Sequence, residues 1–518
     1  MSKVPKIEKV NTQIIVAKMR IRPTIVVFVT NFCLMTLELV AGRMIAPYVG
    51  VSLYTWTAVI GVVLTGVTVG YWWGGKAADS PAVVAFGAMM VFASGIFTLV
   101  TLVFVQTMGI SITLLPLPYV VKVLLVSSVF FFPSFLLGAI SPIAARLNID
   151  ELATAGKRVG SVYAASAMGS IIGTYATGFF LISHLGVRMV VVLVACILIV
   201  MGLFLVAPLG LMKKKQIGGV LLFVGIFAIG IFSNVNTCFR ESNYYCIKVR
   251  DEQKDGKLYK YLVLDKLIHS ITNIDDPTDI SYEYGKFFSL MYKVTKSQDA
   301  EVLFLGGGAY TVPRFIMHEY PKARVDVVEI DPAVSETAFN EFDVPRISGL
   351  TTHTLDARIL LADPAFEKRY RLIYGDAFSD MSIPYHLTTA EFIKLVSNHL
   401  EEEGYYVVNV IDSLEPGLFV SAYLKTLSIT FDQVYLFEPQ PKTSDQHGRR
   451  TLVIVAGRHP LPKNELMRVA AESKFPWDIT FQPFGDKTKE LFNKKTPTLT
   501  DDFAPVDNLI APVFAAMQ

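Results

Sequence analysis

Three acids and one glycine run are the residues of this chain whose types and spacing could do chemistry. Gly306-Gly307-Gly308 follows an apolar run, Val302–Leu305, and precedes a helix-like stretch, Thr311–Tyr320, with Pro321 just past its end. Glycines at such a turn let the backbone bend sharply and approach a ligand closely. Val325–Ile330 reads as a second apolar strand with Glu329 near its tip. An acid about 20 residues beyond a glycine turn is placed to accept hydrogen bonds from ribose hydroxyls. A dinucleotide fingerprint wants a further glycine where the helix packs on the strand, and Thr311 stands there instead. No pyrophosphate needs cradling if the ligand is S-adenosylmethionine or a relative, so an adenosyl-sulfonium ligand is the expectation. The bland alternative is an α/β core whose glycines serve only the turn.

The elements that must position these groups follow in order. Lys257–His269 is partly alternating and reads as a small β-hairpin region. Asp275–Tyr284 leads into a helix. After the glycine unit, Ala333–Phe342 reads as a helix, and His353–Leu355 as a third short strand with Asp356-Ala357 at its tip. Leu372–Tyr374 reads as a fourth strand ending at Asp376. Ala390–Leu400 is a predicted helix and Tyr405–Ile411 a strand, with Val434–Phe437 and Leu452–Val455 a closing antiparallel pair. Strands alternating with helices predict a mostly parallel, doubly wound, Rossmann-like sheet. Its ligand crevice lies at the carboxyl ends of the strands, where Glu329, Asp356 and Asp376 all fall. His318, His386 and His399 are scattered and read as surface or core residues; no metal site and no serine or cysteine triad is expected.

Composition divides the chain. Of its 518 residues 52% are hydrophobic, and the mean hydropathy of +0.45 is too apolar for an ordinary soluble enzyme. The apolar share is concentrated between Thr24 and Ser233. Three parts are expected: a basic membrane-flanking segment 1–22, a transmembrane module 23–235, and a soluble domain 236–518. The module holds about seven candidate spans: Thr24–Ala46, Thr55–Gly75, Ala82–Gln106, Tyr119–Ile140, Val159–Ile182, Met189–Leu209 and Gly218–Asn234. Gly66, Gly70 and Gly74 repeat at four-residue spacing, as do Ala165, Gly169 and Gly173, which predicts close helix packing. Glu38 and Arg43 could form a pair within the first span. Charges at the N-terminus, Lys76, Arg146, Lys157, Arg158 and Lys213-Lys214-Lys215 gather on one side if the spans alternate, which puts the N-terminus in the cytosol. The side occupied by the soluble domain stays open. Cys238 and Cys246 flank a short segment after the last apolar run and are either a disulfide or two free thiols. A net charge of +2, with no basic cluster interleaved with aromatics, argues for no nucleic-acid partner.

From about Ser242 to Asn508 the chain resembles spermidine synthase, the polyamine aminopropyltransferase family. The whole chain is similar to the bacterial membrane-fused branch of that family. The carrying residues are LGGGAYTVPR with VVEIDP, LDARILL, YGDAFSDMSIPYHLTTAEF and YYVVNVI, with LDKLIHS and DISYEY upstream. In the membrane part, GYWWGGKAAD and SVYAASAMGSIIGTYATGF carry it. The resemblance implies aminopropyl transfer from decarboxylated S-adenosylmethionine to an amine, with methylthioadenosine released and no metal needed. It implies that Gly306, Gly307 and Gly308 line the sulfonium ligand, that Glu329 binds its ribose, and that Asp356 with Ala357 meets the adenine edge. It makes Asp376 the catalytic aspartate, Tyr282 a residue that places the amine, and His269 a stand-in for a glutamine near the ligand. Oligomers, including homodimers, are common in the family. The location implied is the bacterial cell membrane.

Departures cluster on the amine side. The catalytic loop has Ser379 where the family has Asp, with Asp380 one residue later. Tyr284 stands where the family has Glu, and Ala309 where it has Asp. The usual proline-tyrosine-glycine loop is not recognisable near Asp412–Gly417. The adenosyl pocket is therefore expected to be kept and the amine pocket, with Tyr282, Tyr284 and Asp380, to be altered. Two further readings stand beside aminopropyl transfer. One is another S-adenosylmethionine-using enzyme on the same pocket, either a lyase or a transferase to a membrane-associated acceptor. The other is a polyamine transporter or sensor whose soluble domain binds without chemistry.

Overall fold

The computed structural model describes residues 22–113, 115–149, 152–209, 238–265, 267–295, 300–377, 383–413, 417–437, 449–473 and 486–515. The chain divides into two compact units: residues 1–237 with Glu241–Asn243, and Cys238–Arg240 with residues 244–518.

The first unit is helical: α1 (Pro23–Val49), α2 (Leu53–Ala78), α3 (Val83–Thr113), α4 (Tyr119–Ser127), α5 (Phe131–Asn148), α6 (Ala155–Ala176) and α7 (Ile182–Val206). Among the described residues five helical runs are long and apolar enough to cross a membrane. The fifth, Leu152–Leu209, breaks at Gly186, whose φ of 75° is left-handed, so it holds two of the expected spans. The seventh expected span, Gly218–Asn234, lies outside the described residues. The small-residue rows do bring helices together. A Cβ on Gly70 would lie 2.3 Å from the Phe135 carbonyl oxygen of α5, so that backbone sits where no side chain fits. Arg43 donates to the Ser242 carbonyl at 2.7 Å. The expected Glu38–Arg43 ion pair does not form among the described residues, because five residues separate the two and the guanidinium has found a backbone acceptor.

The second unit carries two sheets. Strands β1 (Cys246–Lys254), β2 (Lys257–Leu264) and β3 (Leu267–Asn273) form antiparallel hairpins in a small sheet. A disulfide joins Cys238 to Cys246, which settles that pair. The main sheet has seven strands: β4 (Glu301–Leu305), β5 (Arg324–Val328), β6 (Leu350–His353), β7 (Tyr370–Gly375), β8 (Leu400–Ser413), β9 (Gln433–Phe437) and β10 (Arg449–Gly457). Their order is β9-β10-β8-β7-β4-β5-β6. The five from β8 to β6 are parallel, and β10 and β9 close the sheet antiparallel, as the alternating pattern predicted. Helices α8 (Glu283–Val294), α9 (Thr311–Glu319), α10 (Pro332–Glu341), α11 (Ala357–Ala362), α12 (Ala390–Asn398) and α13 (Leu418–Leu427) connect the strands or precede them. Apolar strands buried on both faces are what a parallel sheet between helical layers needs: Val302, Leu303, Val325, Val327, Leu372, Ile373, Val407 and Val408 are all within 1% of full burial.

One boundary differs from expectation. The third strand ends at His353 and does not run over His353–Leu355. Asp356 is the reason: its side chain accepts from the backbone N–H of Arg358 and Ile359, so it caps α11 and the chain has already left the sheet.

Candidate active site

A cleft of about 440 Å³ opens at the carboxyl ends of β4, β5 and β7. That size suits a small-molecule ligand. Gly306, Gly308, Glu329, Asp356, Ala357, Asp376, His269, Tyr282 and Tyr284 all line it, and Gly307 lines a small adjoining recess. Asp380 lies outside the described residues.

The glycine turn sets the geometry. Gly306 has φ 103°, and a Cβ there would lie 2.3 Å from the Asp376 carbonyl oxygen. Both the angle and the contact exclude a side chain. The Asp376 N–H in turn donates to the Leu305 carbonyl at 2.8 Å, and the Gly306 N–H donates to Val328 at 2.9 Å. The tips of β4, β5 and β7 are thus locked backbone to backbone. The Ser270 hydroxyl, from β3, accepts from the Ala309 N–H at 3.1 Å and ties the small sheet to the turn.

Glu329 is buried. Its oxygens accept from Gly307 N–H at 2.9 Å and Asp331 N–H at 3.0 Å. Burial raises its carboxyl above the ordinary range, and the two backbone donors oppose that shift. Each carboxylate oxygen has a second lone pair, which leaves acceptor capacity for ligand hydroxyls. Asp356 spends one oxygen on Arg358 N–H at 2.8 Å; the other sits 2.8 Å from His386 Nε2. His386 is therefore a cleft residue and not the scattered histidine expected. The loop that carries it is held by Arg358, which donates to the His386 carbonyl at 3.0 Å and forms a two-pronged pair with Asp501. His399 is a core residue bonded to the Lys368 and Leu361 carbonyls, and His318 is exposed beside Glu319.

Asp376 stands just past the tip of β7. Its Oδ1 accepts from Asn409 Nδ2 at 3.0 Å and its Oδ2 from the Tyr284 hydroxyl at 3.1 Å. Burial pushes its carboxyl up to about 7; the two hydrogen bonds pull it down, and the charge of Glu329 adds a smaller upward push. A carboxyl poised there can take a proton near neutral pH. Tyr284, expected as a departure on the amine side, thus reaches the acid directly. The same burial and the neighbouring carboxylate hold its phenol well above the usual tyrosine range. Tyr282 donates to the Ile268 carbonyl at 2.7 Å, and its ring centre lies 5.6 Å from that of Tyr284, so the pair forms an aromatic wall.

Asn409, Tyr244, Tyr245 and Ser270 also line the cleft and were not singled out. Asn409 had a signal: it is the one polar residue in the apolar run YYVVNVI. Its Nδ2 is the group turned to the site, on Asp376, and its Oδ1 is buried with no hydrogen-bond partner among the described residues. Among the described residues no group of three His, Cys, Asp or Glu could hold a metal ion.

No protein-family model matches the chain. A polyamine aminopropyltransferase of Vibrio vulnificus is 28% identical over 215 residues, which cover 40% of this chain and 69% of that protein. A probable polyamine aminopropyl transferase of Bifidobacterium longum is 37% identical over 108 residues, covering 21% of this chain and 23% of that protein. The matched stretches are similar to polyamine aminopropyltransferases. A probable spermidine synthase structure from Corynebacterium glutamicum aligns with a TM-score of 0.40 at 20% identity, covering 46% of this chain and 87% of that one. The likeness to those two relatives supports a transferase. The apolar helices of the first unit are consistent with the membrane-fused branch.

Proposed function

We propose that the protein is a membrane-integrated aminopropyltransferase, embedded in a bacterial cell membrane by its first unit. It moves the aminopropyl group of decarboxylated S-adenosylmethionine to an amine. The observation that carries this reading is Asp376, which has a carboxyl near 7, is held by Asn409 and Tyr284, and touches the glycine turn through its backbone.

The roles are those the resemblance implies, and the lining of the cleft supports them. Gly306, Gly307 and Gly308 let the nucleoside approach the turn; Glu329 accepts from its ribose hydroxyls; Asp356 with Ala357 meets the adenine edge; and His269 lies along the ligand. The amine arrives as a cation, because an aliphatic amine has a pKa near ~10 and carries no free lone pair at neutral pH. The Asp376 carboxylate attracts it and takes one proton. The freed nitrogen attacks the carbon beside the sulfonium. A C–N bond forms as the C–S bond breaks, the sulfur keeps the electron pair, and neutral methylthioadenosine leaves. Tyr282 and Tyr284 offer ring faces to the cationic groups, and Asp380 follows the catalytic loop as a further amine contact. Positioning of the two reactants supplies much of the rate.

A product assay on detergent-purified full-length protein tests this. Decarboxylated S-adenosylmethionine with a diamine should release methylthioadenosine and yield an aminopropylated amine. Methylthioadenosine from S-adenosylmethionine alone, or S-adenosylhomocysteine as the product, would overturn the assignment.

A further inference from the structure

The passes of the first unit have a definite sense. α1 and α6 run parallel: the Phe28 and Phe32 backbones meet Gly169 and Gly173 in that order, and Thr177 donates to Thr36 at 2.9 Å. α2 and α5 are parallel too, since Gly66, Gly70 and Gly74 meet Phe131, Phe135 and Ala139 in turn. α7 runs against α3, because Gly95 meets Ile199 and Ala195 while Gly202 meets Phe92. Alternate passes therefore bring two sets of ends together. At one end Ala78, Val83, Val84 and Ile143 cluster, with Leu209 packed on them. At the other, Tyr119 donates to the Val49 carbonyl at 2.9 Å, and α7 begins its straight run after Gly186.

Charge separates the two ends. The first carries Arg22, Lys76, Arg146, Lys157 and Arg158, with Lys3, Lys6, Lys9, Lys18 and Arg20 before it in sequence and Lys213-Lys214-Lys215 shortly after Leu209. The second carries Arg43, Lys122 and Arg188. The excess of cations marks the first end as cytosolic. Yet the chain at Glu241–Asn243 is fastened at the second end: Arg43 donates to the Ser242 carbonyl, and the Val187 N–H donates to the Glu241 carboxylate. The Cys238–Cys246 disulfide brackets those same residues, and disulfides persist in oxidising compartments. Between Leu209 and Cys238 the sequence supplies one more apolar run, Gly218–Asn234, of sufficient length for a crossing.

We propose that the chain enters its soluble unit on the non-cytosolic, oxidising side of the membrane and that the cleft does its chemistry there. The inference rests on the reading that the first unit spans a membrane. It also places the reaction in a sequence. A sulfonium is a permanent cation, and an unpaired charge does not enter hydrocarbon unaided. The step that supplies this site must therefore be a transport reaction that delivers an adenosyl-sulfonium across the bilayer.

Thiol labelling of the full chain in intact cells tests the side without needing turnover, so its failure is separable from failure of the proposed reaction. Ser473, in the soluble unit, and Asp79, between α2 and α3, are both exposed. In Ser473→Cys a membrane-impermeant maleimide should label the protein in intact cells to the same extent as after permeabilisation. In Asp79→Cys labelling should need permeabilisation, with the unsubstituted chain giving the background of Cys33 and Cys196. Acid trapping and alkylation should recover Cys238 and Cys246 bonded to each other. Labelling of Ser473→Cys only after permeabilisation, or recovery of both cysteines as free thiols, would overturn the proposal. Equal labelling of both variants in intact cells would remove the membrane reading on which it stands.

Discussion

The two ends of the cleft hold their acids in different ways. At the end proposed for the nucleoside the grip is mostly backbone: Glu329 accepts from the N–H groups of Gly307 and Asp331, and Asp356 from those of Arg358 and Ile359. At the end proposed for the amine Asp376 is held by two side chains, Asn409 and Tyr284. A backbone donor stays wherever the fold stays, whatever residue occupies the position. A side-chain donor changes with one substitution. On this footing Tyr284, which the resemblance sets where the family has a glutamate, can change the hold on Asp376 by one substitution, while the holds on Glu329 and Asp356 cannot be changed so simply. On the proposed reading the hold on the nucleoside is a property of the fold and the hold on the amine one of individual residues.

The sharpest test of that division is Asp376→Asn. Asparagine keeps the shape but cannot take a proton, so kcat should fall by about 10²–10⁴, the usual worth of a general base. The nucleoside Kd should stay within about a factor of three, because no contact at that end is touched. A matching loss of nucleoside affinity, read by calorimetry with methylthioadenosine, would break the comparison. Glu329→Gln is the mirror experiment. The amide replaces one acceptor with a donor and sets it against a backbone N–H, either that of Gly307 or that of Asp331. Losing a charge-assisted hydrogen bond of about 1.5–3 kcal/mol should weaken methylthioadenosine binding by roughly 10–100-fold. The kcat at saturating substrate should change much less.

What could be read from sequence follows the same line. The glycine turn, Glu329 and the strand ending at Asp376 have local signatures, since a βα unit repeats within about 30 residues and apolar runs mark its strands. Those signatures also carried the parallel sheet and its antiparallel closing pair. The links between side chains did not show. Asn409 meets Asp376 from the neighbouring strand and His386 meets Asp356 across a loop; no periodicity connects such residues. Asp356 itself misled the strand boundary, because a capping acid and a strand-tip acid look alike in sequence until the N–H groups of Arg358 and Ile359 are seen on it. In the apolar unit, composition located six of the expected spans. The break that divides the last described run, at left-handed Gly186, falls in the gap that composition left between Val159–Ile182 and Met189–Leu209.

Tyr284→Phe sharpens the amine side further. Its hydroxyl and Asn409 both stabilise the charged form of Asp376, so removing one donor raises the carboxyl above its present value near 7. The base is competent only when deprotonated. In the parent protein kcat/KM should therefore fall as pH drops through about 7, and in the variant that acidic limb should move to higher pH by about one unit. An unmoved limb would mean that Tyr284 packs against Asp376 without tuning it.

The smallest effect is expected where a side chain does reach the nucleoside end. His386→Ala removes the partner of Asp356 Oδ2. The carboxylate should nonetheless stay in place, because Arg358 and Ile359 still hold the other oxygen through their N–H groups. The loop should stay as well, since Arg358 grips the His386 carbonyl, which alanine also has, and Asp501 anchors that guanidinium. One partly exposed hydrogen bond is worth about 1 kcal/mol, so the nucleoside KM should rise by about fivefold with kcat unchanged. A loss of a hundredfold or more would place the control of adenine binding in the side chain of His386. The nucleoside end would then be as residue-dependent as the amine end, and the contrast between the two would fail at its strongest point.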